Sequence, residues 1–209
     1  MARISRVSVR VNSVPTPISD LNMAGGGACT ALVTALVLDD TTGISNGDTI
    51  RIGTEDITVT TVANGTSLSV VVRGVNSTVA AIHADESPVY NVTPGKCSGT
   101  AVSDRPIIGE VLSVYLKFSA SSPATVDTTV ATQGEATGLP VANLLVTTNV
   151  NTSAAFAPRL PAVNAANSAI TNSGVPMAVA DNVTVAIAGC DVDITDAVIA
   201  TIVFLDRSK

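Results

Sequence analysis

The sequence predicts an all-β protein: a β-sandwich or jelly-roll domain interrupted by a small inserted β-barrel module. Three observations lead there. Hydrophobic residues make up 46% of the 209 residues, yet aromatics are only 2% and Trp is absent, so the core must be built from Val, Ile, Leu, Ala and Thr methyls. β-Branched side chains are stiff at χ1 and pack well on a pleated surface. Apolar residues alternate with polar ones in short runs separated by Gly, Pro and Asn, and no amphipathic helical pattern separates them.

The elements follow in chain order. Val7, Val9 and Val11 alternate with Arg6, Ser8, Arg10 and Asn12, a half-buried strand that Pro15 and Pro17 end because neither donates to a ladder. Gly25, Gly26 and Gly27 read as a flexible hinge, since no phosphate-binding GK[ST] follows them. Residues 31–38 form a near-continuous apolar run that reads as strand or helix. Asn46-Gly47-Asp48 is a turn, and residues 49–52 and 57–62 are short strands around a break at Gly53. Asn64-Gly65 is the strongest hairpin signal, the pair a type I′ turn wants, after which Leu68, Val70 and Val72 resume the alternation. Residues 78–83 could form one helical turn.

Beyond Tyr90, Leu112, Val114, Leu116 and Phe118 alternate with Ser113, Tyr115 and Lys117. Residues 126–132, 142–148 and 177–187 follow as strands. Residues 149–173, rich in Asn, Ala, Ser and Pro, read as a long loop of the kind that is usually functional or partner-bound. Residues 198–205 are apolar on both faces and predict a central strand. The first strand precedes the module and its expected partners follow it, the pattern of a domain insertion. The expected domains are therefore 1–26 with 91–209, and 27–90.

Composition restricts function. Charged residues are 13%, against about 25% in a typical soluble domain, so much surface is expected to be hidden in an assembly and the rest to be kept wet by Ser, Thr and Asn. The net charge is −6 and sits mostly in the module, where Arg51 and Arg73 face Asp39, Asp40, Asp48, Glu55, Asp56, Asp85 and Glu86. No basic stripe offers itself to nucleic-acid phosphates. The apolar runs are far shorter than the roughly 20 residues of a membrane helix. Cys29, Cys97 and Cys190 have neither disulfide nor zinc spacing and read as buried thiols in a chain folded in a reducing cytoplasm.

No constellation carries catalysis. Gly43-Ile44-Ser45-Asn46-Gly47 matches a nucleophile elbow, but a strand rather than a helix follows it and the chain has one histidine, His83. His83 reads as a turn residue bonded to backbone. Asp191, Asp193 and Asp196 resemble the start of a calcium loop, but Asp196 and Ile202 stand where Gly and Glu are needed. A polar turn, or a weak surface cation site, remains. Phe156, Pro158 and Arg159 are candidate interface residues, because aromatic and Arg side chains are enriched at binding hot spots; the alternative is a loop anchored on its own sheet. The expectation is no enzyme, no catalytic or metal residues and no cofactor.

The module carries a resemblance. Residues 47–55, GDTIRIGTE, then residues 71–78, VVRGVNST, with Ala80, His83, Val89 and Tyr90, resemble a small β-module of tailed-bacteriophage structural proteins. The flanks GEVLSVYL from Gly109, TNVNTS from Thr148, APRL from Ala157 and VADNVTVA from Val179 are similar to phage virion proteins of unassigned role. The resemblance implies a capsid decoration (cement) protein on the virion surface, assembled in the bacterial cytoplasm. It further implies a partner in the major capsid protein and a homo-oligomer, with a trimer favoured, and no nucleic-acid or membrane partner. A tail, neck or head-fibre component with an adhesion module is the alternative.

Overall fold

The computed structural model describes residues 3–15, 17–23, 27–134, 141–163 and 169–207, with side chains described outside 159–163 and 169–176. Among these residues the chain is all-β and antiparallel, with no helix. It divides into two compact units: unit 1, Met1–Ser13 with Ser98–Lys209, and unit 2, Val14–Cys97. The hinge residues Gly25 and Gly26 lie outside the described residues.

Unit 1 holds two sheets. In the first, β1 (Arg3–Val11), β18 (Val198–Asp206), β11 (Ile107–Phe118), β16 (Ala169–Asp181) and β15 (Arg159–Val163) lie side by side, and β14 (Ala154–Phe156) pairs with the second half of β11. The second sheet runs β10 (Cys97–Val102), β17 (Val183–Cys190), β12 (Asp127–Thr132), β13 (Asn143–Thr147). Each sheet buries one face. Val7, Val9 and Val11 are buried opposite Ile202, Ala200 and Val198, and Val185 and Ile187 are buried opposite Val130 and Thr128. The central place of β18, between β1 and β11, agrees with its two apolar faces.

Residues 149–173 are not one long loop. They contribute β14, β15 and the start of β16, the last two pairing as a hairpin. Small side chains hide a strand from hydrophobic periodicity, but β11 offers its main-chain groups along that edge, and a ladder satisfies them whatever the side chains are. In β11 a bulge between Val111 and Ser113 breaks the alternation, so Val111 is fully buried and Leu112 only half-buried.

Unit 2 is one curled sheet with the order β2 (Pro17–Asp20), β9 (Pro88–Asn91), β5 (Thr49–Ile52), β6 (Glu55–Asn64), β7 (Ser67–Val75), β4 (Leu36–Val37). A Leu21–Leu38 bridge ties its two edges. A two-stranded piece, β3 (Ala28–Cys29) with β8 (His83–Ala84), completes it. Leu21, Leu36, Leu38, Ile50, Ile52, Ile57, Val59, Leu68 and Val89 fill the interior. The unit begins at Val14 rather than near Gly27, because β2 pairs with β9.

Local details depart from the sequence reading. Residues 31–38 supply only the two-residue β4, and residues 78–82 form neither helix nor strand. The β6–β7 hairpin is present, but its turn is not type I′: neither Asn64 nor Gly65 has positive φ. Instead the Asn64 side chain accepts from the Thr66 N–H at 2.9 Å, an Asx turn. Register shifts along β6 and β7 then bury Leu68 and Val71 and turn Val70 and Val72 outward.

Gly189 has φ +70° in β17, and a Cβ there would collide with the Thr125 carbonyl. Gly189→Ala is therefore expected to cost about 2 kcal/mol or more, through strain and a forced shift of the 120s loop. Chemical denaturation measures it directly.

Candidate functional site

The densest polar constellation lies inside unit 2. Gly53, with φ +59°, turns the chain between β5 and β6 and lies 3.9 Å, measured from where a Cβ would stand, from the His83 ring. Glu55 opens β6 and, like Ile57 and Val59, is fully buried; the side chain of Arg73 on β7 is 6% exposed. The glutamate therefore enters the curled sheet in phase with the core and meets the one cation on the facing strand that can reach it.

The carboxylate is saturated. Arg73 donates through Nε at 2.6 Å and Nη2 at 2.7 Å, a bidentate fork. The backbone N–H of Gly74 donates at 3.0 Å, that of Ala81 at 2.9 Å, and His83 Nε2 lies 2.8 Å from Oε2. Arg73 also donates Nη1 to the Thr30 carbonyl at 3.0 Å and the Val33 carbonyl at 3.3 Å, and Nη2 to the Ala81 carbonyl at 2.7 Å. Nη1 lies 3.4 Å from Cys29 Sγ. Burial alone would raise the Glu55 carboxyl, but the bonds from Arg73, Ala81 and His83 and the Arg73 charge outweigh it, lowering its pKa from 4.5 to about 2. The same pairing raises the Arg73 guanidinium.

His83 is thus not a backbone-bonded turn residue: it is buried on β8 and bonded to a carboxylate. Cys29, its cross-strand neighbour, is also fully buried. The group is closed to solvent. Its effect is structural: one guanidinium and one carboxylate fasten residues 29–33 and 78–83, which have almost no ladder bonds of their own.

That fastening presents an apolar tip. Leu32 is 91% exposed, Val79 81% and Ile82 69%, on the two segments that Arg73 clamps. Beside it lies negative charge. Unit 2 has eight carboxylates against Arg51, Arg73 and Lys96, a net charge of −5. All three cations are spent on buried or nearly buried acids: Arg51 on Asp56, Arg73 on Glu55, Lys96 on Asp48. Asp20, Asp39, Asp40, Asp85 and Glu86 have no cation among the described residues, and oxygens of Asp20, Asp39 and Glu86 lie within 4.8 Å of one another.

The remaining sequence candidates disperse. Ser45 is exposed on the turn before β5, where Asp48 accepts from its backbone N–H at 2.9 Å. Burial would raise Asp48, but bonds from Lys96, Ser45 and Asn91 lower it. Asp196 pairs with Arg10, and Asp193 and Asp196 have positive φ in the turn before β18. Phe156 is half-buried and pairs with Val114 on β11; Pro158 is buried; Arg159 opens β15, with its side chain outside the described residues. No protein-family model, no curated protein and no solved structure matches the chain.

Removing the Glu55 charge leaves a buried guanidinium uncompensated, so Glu55→Gln is expected to destabilise unit 2 by about 3–5 kcal/mol. The folded pKa lies below the unfolded one, so this stabilisation is fully present above about pH 4.5 and is lost as pH falls toward about 2. Denaturation of both chains between pH 7 and 2.5 checks it: the difference should shrink with acid, and a constant difference would refute the assignment.

Proposed function

We propose that this chain is a structural virion protein, a capsid decoration protein of the tailed-bacteriophage type that bridges shell subunits and assembles as a homo-oligomer, a trimer being favoured. The observation that carries the reading is the combination of few charges with large exposed apolar side chains. A chain with 13% charged residues leaves Leu32, Val79, Ile82 and Ile4 between 69% and 91% exposed, a surface suited to burial in an assembly. Supporting it are the methyl-rich all-β architecture and a module whose deepest polar cluster fixes loops rather than admitting a substrate.

In this reading unit 1 is a jelly-roll sandwich and unit 2 a small inserted barrel. The major capsid protein is the partner, Phe156, Pro158 and Arg159 contribute to an interface, and the protein works on the capsid surface without enzymatic activity, cofactor, nucleic acid or membrane. The acidic patch of unit 2 favours a second reading, a tail, neck or head-fibre component whose module is an exposed adhesion domain.

Bound decoration stabilises the closed shell by mass action, since it binds the intact lattice and not the opened one. Decorated particles should burst at a higher temperature than particles stripped of this protein, and equal bursting temperatures would refute the proposal. Copy number separates the two readings: hundreds per particle mean decoration, about a dozen mean tail or neck.

A further inference from the structure

Unit 1 carries a surface complementary to the tip of unit 2. On the outer face of the first sheet, β18 presents Ile199, Val203 and Leu205, all half-buried, although the inner face of the same strand already fills the core. Across the ladder Arg6 stands opposite Val203, and Tyr115 and Lys117 stand opposite Thr201 and Ile199. Tyr115 is 41% exposed and Ile4 71%. A hollow of about 260 Å³ opens here, lined by Ile4, Ser5, Arg6, Thr201 and Val203. Three of the local cations are already used, Arg3 on Asp206, Arg10 on Asp196 and Arg207 on Glu110. Arg6 and Lys117 have no carboxylate partner among the described residues. The face is apolar along its centre and basic at its flanks.

The tip of unit 2 is the converse. Leu32, Val79 and Ile82 project, and Asp85 follows Ile82 by three residues, at most about 10 Å along the chain. Glu86, Asp39 and Asp20 continue the negative charge from there. Like charge opposes tip-to-tip pairing and opposes docking on an anionic lipid surface. An apolar surface with basic flanks is what such a tip fits, and this chain provides one.

We infer that the tip of unit 2 in one copy docks on the outer β1–β18–β11 face of unit 1 in a second copy. The contact is heterologous, two different patches meeting, and so is of the kind that builds rings. An apolar side chain of the tip enters the hollow beside Ile4 and Val203, while Arg6 and Lys117 meet the acidic flank. The inference rests on the homo-oligomer part of the proposed function and names its contact; it is independent of the particle.

Mixing two defective chains tests it. Leu32→Ser/Ile82→Ser removes the tip and leaves the face, whereas Arg6→Glu/Lys117→Glu reverses the face and leaves the tip. All four positions are on the surface, and thermal melting by circular dichroism checks each fold. Should either chain fail to fold, Val79→Ser and Lys117→Glu alone replace them. In sedimentation velocity the wild-type chain is expected to be oligomeric at micromolar concentration, and more weakly so at 0.5 M salt, roughly three times the physiological ionic strength. Each variant alone should dissociate at least tenfold more readily. An equimolar mixture should recover a one-to-one dimer, since one intact tip then meets one intact face. A monomeric wild type overturns both the contact and the oligomer. Variants as oligomeric as wild type overturn the contact and leave the oligomer standing. Two dissociated variants whose mixture stays monomeric overturn the heterologous geometry.

Discussion

Glu55 is a carboxylate buried away from the solvent surface, and the form of unit 2 depends on how that is resolved. Taking such a group out of solvent costs several kcal/mol unless geometry and hydrogen bonds compensate. Here the compensation is complete: a bidentate guanidinium, two backbone N–H groups and an imidazole converge on two oxygens. The consequence is positional. Gly74 lies at a register shift within the β6–β7 ladder, between the Asp56–Val75 and Thr58–Val72 pairs, and Ala81 lies where no ladder forms, so their N–H groups would otherwise be orphaned. The carboxylate takes over the role of a neighbouring strand, and Arg73 does the same for the carbonyls of Thr30, Val33 and Ala81.

The same economy of cations shapes the outside. Because Arg51, Arg73 and Lys96 all serve acids inside unit 2, the surface retains the full net charge as bare carboxylates, gathered near the ends of β2, β4 and β8. An interior requirement thus yields an acidic exterior beside an apolar tip. Unit 1 differs in kind. Its core needs no buried ion pair of this sort among the described residues, and Arg6 and Arg10 on β1 and Lys117 on β11 face outward.

Much of the architecture was legible in the sequence, and the failures have physical causes. Period-two alternation of large apolar residues located β1 and the second half of β11, because burial of one face leaves that imprint, and β18 showed as a run apolar on both faces. It failed for β14, β15 and the first part of β16, where Ala, Asn and Ser record no face and the pairing of β14 and β16 with β11, and of β15 with β16, decides. It failed again for β3, β4 and β8, two residues long each and too short to show a period. The buried cluster escaped because Cys29, Glu55, Arg73 and His83 are scattered along the chain. A signal was nonetheless present: Glu55 continues the alternation of Ile57 and Val59, and Arg73 that of Val71. Opposite charges placed in phase with the apolar faces of two strands joined by a hairpin announce a buried pair. Asn64-Gly65 gave the hairpin correctly and its turn type incorrectly, since the Asn64 side chain, not a left-handed backbone, closes it.

The central claim is that Glu55 and Arg73 hold the irregular segments of unit 2 as firmly as a ladder would. Amide hydrogen exchange at Gly74 and Ala81 tests this most directly. Gly74 sits at an irregularity of its ladder and Ala81 outside any strand, yet both should exchange only through global opening of unit 2, as slowly as Ile57 and Val59 in β6. Exchange at the rate of the exposed neighbours Ser77 and Val79 would contradict the account.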